Sequence, residues 1–233
     1  MRNIAAWVIV GFVIFLFSCF VKIGFELNKY ETRMDAAAVT LAVPTPILNM
    51  ANSTVMVTGT KGGIEGSGSG VIISYNGIVA TARHVVDGTD DIAVVLPDGS
   101  VLPVRYSIVS DTSDCALLFT GEVTETYSKL SHDLLQQGER VYVCGSPFGR
   151  LYHNYLTSGV ISKCVVTNQF FSTTDLCMID APINPGNSGG PVFNEAGEVI
   201  GLAIGSDTRG DALNYVTPIC EIVELLDIIK PVY

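Results

Sequence analysis

The sequence is short of positive charge, and of charge altogether. Lys and Arg number 13 against 23 Asp and Glu, the net charge is -10, and charged residues make up only 15% of the chain. Phosphate binding needs a basic face, so nucleic acid is not expected as a partner. Six cysteines are present, but no Cys-x-x-Cys pair, so no zinc-type spacing exists. The glycine-rich stretch 62–70 is followed by a strand-like run, not a helix, and no Gly-Lys-Ser/Thr accompanies it. It is therefore no phosphate-binding loop, and it reads instead as a flexible turn leading into a strand. No fixed-period repeat and no low-complexity tract occurs. The expectation is no metal and no cofactor.

What remains is apolar and heavily punctuated. Hydrophobic residues make up 48% of the 233, and 23 glycines and 10 prolines are spread between short Val- and Ile-rich runs. That pattern predicts an all-β fold with many tight turns, in one large domain or two small lobes. Cysteines inside apolar runs behave as small buried hydrophobes. Cys164 and Cys177 flank an expected turn at 168–172 and could pair across a hairpin in an oxidising compartment. Two reduced core thiols are the expectation, and the disulfide is the alternative.

The N-terminus stands apart. Ile4 to Val21 is uncharged and rich in Val, Ile and Phe, near the length that spans a bilayer. With no clear small-residue cleavage site after it, an uncleaved transmembrane anchor over 1–25 is expected. Leu16-Phe17-Ser18-Cys19 loosely fits a lipid-attachment box, which gives lipidation at Cys19 as the alternative. Arg2 on one side and Lys22, Lys29 and Arg33 on the other leave the orientation open. Residues 26–45 read as a linker. Asn52-Ser53-Thr54 spells a glycosylation sequon, a triplet common by chance.

Three contexts in the remainder carry chemistry. His84 leaves the strand Ile78–Thr81 within Thr81-Ala82-Arg83-His84-Val85-Val86. Asp114, in Ser113-Asp114-Cys115-Ala116-Leu117-Leu118, stands at the head of an apolar strand where an aspartate is costly to bury. Asp111 competes with it. Ser188 lies among turn formers in Asn184-Pro185-Gly186-Asn187-Ser188-Gly189-Gly190-Pro191. A serine hydroxyl is a weak nucleophile until a base takes its proton. Thr217-Pro218 reads as the cap of a C-terminal helix, Ile219 to Ile229.

Taken together with Gly-Ser-Gly-Val-Ile-Ile (68–73), Gly-Ser-Pro-Phe-Gly (145–149) and Thr-Ser-Gly-Val-Ile-Ser (157–162), these stretches resemble, in order, the protease domain of the HtrA (Deg) family. That family belongs to the chymotrypsin-like serine peptidases. The resemblance covers about residues 50 to 220. It implies two six-stranded antiparallel β-barrels, in lobes about 46–125 and 133–217, with the C-terminal helix at 218–230. The implied catalytic residues are His84, Asp114 and Ser188, with the amides of Gly186 and Ser188 as the oxyanion hole. The implied substrate pocket is lined by Pro182, Ile183, Ile204, Gly205 and Ser206, with no acid at its floor. Cleavage after small or medium apolar residues of protein or peptide substrates is expected. The resemblance also implies a homotrimer and a protease domain outside the cytoplasm. Unlike many family members, this chain shows no PDZ domain after the protease motifs. A protease fold used as a chaperone or binding module, and a self-processing protease, are the alternatives.

Overall fold

The computed structural model describes residues 22, 46–47, 51–133, 135–167, 174–207, 209–210 and 212–229. The expected membrane anchor at 1–25, the Cys19 alternative and the 168–172 turn lie outside these residues, apart from the single position Lys22. Among the described residues no helix is long and apolar enough to cross a membrane.

The first lobe grows from a hairpin of β1 (Thr54–Lys61) and β2 (Ile64–Ile72), joined by Gly62-Gly63. Both glycines sit at positive φ, +58° and +80°, the backbone that a two-residue hairpin turn demands. The expected flexible turn over 62–70 is thus only two residues long; the remainder is strand. Glycine depletes strand propensity, but here every residue from Ile64 to Val71 has a partner on β1. The outer half of β2 is exposed and the inner half buried.

β3 (Ile78–Thr81), β4 (Asp90–Val95), β5 (Val101–Pro103), β6 (Tyr106–Val109) and β7 (Ala116–Phe119) complete a seven-stranded sheet ordered β5-β4-β1-β2-β3-β7-β6. This replaces the first of the two expected six-stranded barrels. The reason lies at Pro103-Val104-Arg105. Proline donates no hydrogen bond, and the next two amides turn to opposite neighbours. Val104 N–H donates to Ile92 O on β4, and Arg105 N–H donates to Phe119 O on β7. The run 101–109 is therefore split into two edge strands that are consecutive in the chain. Val55, Val57, Val79, Val94 and Leu118 fill the interior.

The second lobe is the expected closed barrel of six antiparallel strands. They are β8 (Arg140–Gly145), β9 (Tyr155–Thr167), β10 (Asp175–Ile179), β11 (Pro191–Phe193), β12 (Val199–Ser206) and β13 (Asn214–Pro218), ordered β10-β13-β12-β11-β8-β9. Val141, Val143, Ile161, Ile179, Val192 and Val216 make its core, with Cys177 inside and Cys164 packed against it. Those two cysteines are thiols, not a disulfide.

Two helices matter. α1 (Arg83–Val86) is a single turn after β3, and α2 (Ile219–Ile229) closes the described chain. Thr217 does not cap α2 with its hydroxyl as expected; that group donates to Asp114 O at 3.4 Å. The helix instead buries Ile219, Ile222 and Leu225.

Candidate active site

His84 is carried on α1, where the chain turns out of β3. The loop before β7 brings Asp114 to it. Ser110 N–H donates to Cys115 O to close that loop, and Arg83 Nη1 ties it to α1 through Ser110 O at 2.6 Å. The Asp114 side chain is 5% exposed, yet it is satisfied. Oδ1 accepts the His84 backbone N–H at 2.9 Å, and Oδ2 faces His84 Nδ1 at 2.6 Å. A carboxylate can only accept, so Nδ1 carries the proton and Nε2 of the neutral ring is left with its lone pair. The imidazole is 46% exposed, open to an incoming molecule. Asp111, the competing aspartate, is exposed in the preceding turn.

Ser188 comes from the other lobe, in the loop between β10 and β11. Its Oγ donates to Ile204 O at 3.2 Å. Its carbonyl accepts Ser69 N–H from β2 at 2.7 Å, so the two lobes meet at this residue. Asn187 N–H donates to Asn184 O, Gly189 N–H to Ala203 O and Gly190 N–H to Asn187 O. The Gly186 and Ser188 amides donate to none of the described groups. Gly186 stands at φ +100°, and a Cβ there would come within 2.6 Å of Ser146 O, so only glycine fits. Its preceding carbonyl, Pro185 O, accepts Phe148 N–H at 3.1 Å. In a trans peptide the N–H points opposite the C=O. The Gly186 N–H therefore points away from Phe148.

The expected pocket residues fall on two facing segments. Pro182 O accepts the Thr157 hydroxyl at 2.9 Å. Ile183 packs against the barrel core, and its carbonyl oxygen lies 3.3 Å from Ser206 Oγ. Gly205 pairs with Tyr215 beside a register shift. The Ile204 side chain is buried with Ala82, Leu176 and Tyr215, so it offers its backbone to the site. Sequence reasoning missed Asn214, which is 4% exposed. Its Oδ1 accepts from Ser206 Oγ at 2.6 Å, and its Nδ2 donates to Ala181 O at 2.7 Å. It thus bridges the two segments. Asp207, just past Ser206, is held well below the usual carboxylate range by hydrogen bonds from Arg209, with Tyr215 Oη adding to them.

Cavities of about 500 Å³ beside Tyr106 and Phe119, and about 950 Å³ between α2 and β10, lie away from these residues. Among the described residues no cluster of His, Cys, Asp and Glu is arranged to hold a metal.

A β-fold that sets His, Asp and Ser in this order at the junction of two lobes defines the class of chymotrypsin-like peptidases. A family model described as a trypsin-like peptidase domain matches residues 68–202, more than half of the chain, and the chain belongs to that family. Its relatives are of HtrA and DegP type. It is 37% identical over 156 residues to a protein of Pseudomonas savastanoi named "Probable periplasmic serine endoprotease DegP-like", covering 65% of this chain and 32% of that one. A protein of the same name from Halomonas elongata is 38% identical over 164 residues, covering 69% and 34%. The chain thus spans about a third of the length of these relatives. Among solved structures it is similar to the HtrA-type protease AlgW with tripeptide, at a TM-score of 0.71 and 29% identity, covering 79% of this chain and 62% of that one. The active form of an M. tuberculosis protease shares the fold, at a TM-score of 0.70 and 22% identity, covering 81% and 88%.

Proposed function

We propose that the protein is a serine endopeptidase that cleaves proteins or peptides through an acyl-enzyme. The observation that carries this reading is the 2.6 Å bond from His84 to Asp114, which leaves Nε2 as a base on the lobe face that receives Ser188. His84 takes the Ser188 proton and returns it to the leaving amine. Asp114 holds the tautomer and stabilises the imidazolium. The two unengaged amides, Gly186 and Ser188, receive the oxyanion; one such donor is worth about 100- to 1000-fold in rate.

Pro182, Ile183, Gly205 and Ser206, with the Ile204 backbone, line the pocket for the residue before the scissile bond. The Ser206–Asn214 bridge ties the two walls of that pocket together, and none of the lining residues is an acid, in accord with a small or medium apolar preference. Residues 1–25 anchor the chain, 26–45 link, and 46–233 form the peptidase. The apolar run Ile4–Val21 and the periplasmic names of the relatives support a tethered domain outside the cytoplasm. The assembly the resemblance implies is a homotrimer, and light scattering of the full chain tests it.

One observation favours a second reading, a protease fold used for binding. Ser188 Oγ is bonded to Ile204 O and not to His84. Fluorophosphonate labelling of the full chain, beside Ser188→Ala, separates the two. Wild type labelled and variant unlabelled is the expected result. A folded wild type that takes no label overturns the peptidase reading in favour of binding.

A further inference from the structure

We infer that Ser69 is a positioning residue for the oxyanion hole, an inference that rests on the peptidase reading above. Ser69 lies on β2 in the first lobe and is fully buried, yet all its polar groups are engaged. Its Oγ donates to Gly186 O at 2.6 Å and accepts Ser146 N–H at 2.9 Å. Its N–H donates to Ser188 O at 2.7 Å. Its carbonyl accepts the Thr81 hydroxyl at 2.7 Å.

The consequence is geometric. The peptide on one side of Gly186 Cα is fixed by the Phe148 N–H on Pro185 O, and the peptide on the other side by the Ser69 hydroxyl on Gly186 O. A glycine is free to rotate between them, and Gly186 is held at φ +100° only while both are in place. Ser69 also holds the carbonyl of Ser188, so one residue of the first lobe orients both donor-bearing residues of the second. Through Ser146, whose Oγ is 2.8 Å from His153 Nδ1, the clamp extends to the β8–β9 loop. Ser69 touches no reacting atom; it acts through Gly186.

Ser69→Ala removes the hydroxyl and leaves the backbone bond to Ser188 intact. It should lower kcat by roughly tenfold to a hundredfold, the scale of a small misplacement of a catalytic group, with KM within about twofold. The discriminating readout compares two probes on the full chain. N-acetyl-Ala-Ala-valinal forms a tetrahedral adduct that needs the oxyanion donors, and the matching valinamide does not. The aldehyde-to-amide affinity ratio should fall at least about tenfold in Ser69→Ala. Ser69→Thr, which keeps the hydroxyl, should retain the wild-type ratio. An unchanged ratio in a folded Ser69→Ala overturns the inference, as does a failure of both variants to fold, which would make the residue structural. A wild type that binds aldehyde no better than amide overturns the peptidase reading itself, and this inference with it.

Discussion

The two lobes contribute unequal halves of the site. The first supplies a finished pair: His84 and Asp114 are joined by two hydrogen bonds, on a helical turn and a loop stapled by Arg83. The second supplies an unfinished one: Ser188 rests against its own lobe's Ile204 carbonyl, and two amides wait without acceptors. The difference follows from chemistry. A buried carboxylate must be satisfied at all times, so its partners are built in. On the proposed reading Ser188 is a nucleophile and the two amides are oxyanion donors; these act only when substrate arrives, and donors satisfied in advance would be lost to it.

The sharpest way to break this comparison is to remove one member from each half. Ser188→Ala and His84→Ala should each lower kcat by about a million-fold, and the double variant should be little worse, because the groups act as one unit. Hydrolysis of a peptide anilide measures this; additive losses would show that the lobes work independently. Next in size is Asp114→Asn, which keeps the shape but favours the wrong tautomer. A loss of about ten-thousand-fold in kcat is expected. A smaller loss would mean that the 2.6 Å bond orients the ring without setting its protonation.

Stability extends the comparison to the scaffolds. Leu118 in the sheet lobe and Leu202 in the barrel lobe are both fully buried. Truncation of either to alanine should cost about 2–5 kcal/mol. Urea unfolding should show one transition for both variants, since Ser69 fastens the lobes together; two transitions would make them separate folding units.

The smallest effect is one of pH. His153 faces Ser146 through Nδ1, and its Nε2 is buried with no partner among the described residues. Burial pushes its pKa below the ordinary 6.5. The neutral ring is thus favoured by the fold. Its contribution is fully present above pH 6.5 and fades as pH drops through the lower folded value. Wild type should therefore lose more stability than His153→Gln between pH 7 and 5. Parallel slopes would show that His153 does not titrate in this range.

Much of the site is legible in the sequence because each of its parts demands a particular residue. Gly186 has no alternative at its backbone angle, and an aspartate at the head of a buried strand needs a reason. Asp114 over Asp111 was readable for that cause. Ser69 and Asn214 were not: a serine between glycines and an asparagine in an apolar run carry no local signal, and Gly186, Ser146 and Ala181, which they hold, lie far away in the chain. The same limit explains β2. Its glycines argue for a turn locally, and only the long register with β1 makes them a strand. The split of β5 from β6 at Val104-Arg105 likewise depends on carbonyls of two other strands. The closed barrel of the second lobe was expected from the family resemblance; the β-branched runs between turns spoke only for an all-β fold.

The buried thiols carry a consequence for where such a fold can exist. Burial pushes Cys115 and Cys144 up to about 11. Both therefore stay in the thiol form at neutral pH, and only the thiolate attacks a disulfide or an electrophile. None of the five described cysteines is cross-linked. The described fold therefore needs no oxidant to form and offers little for a reductant to undo.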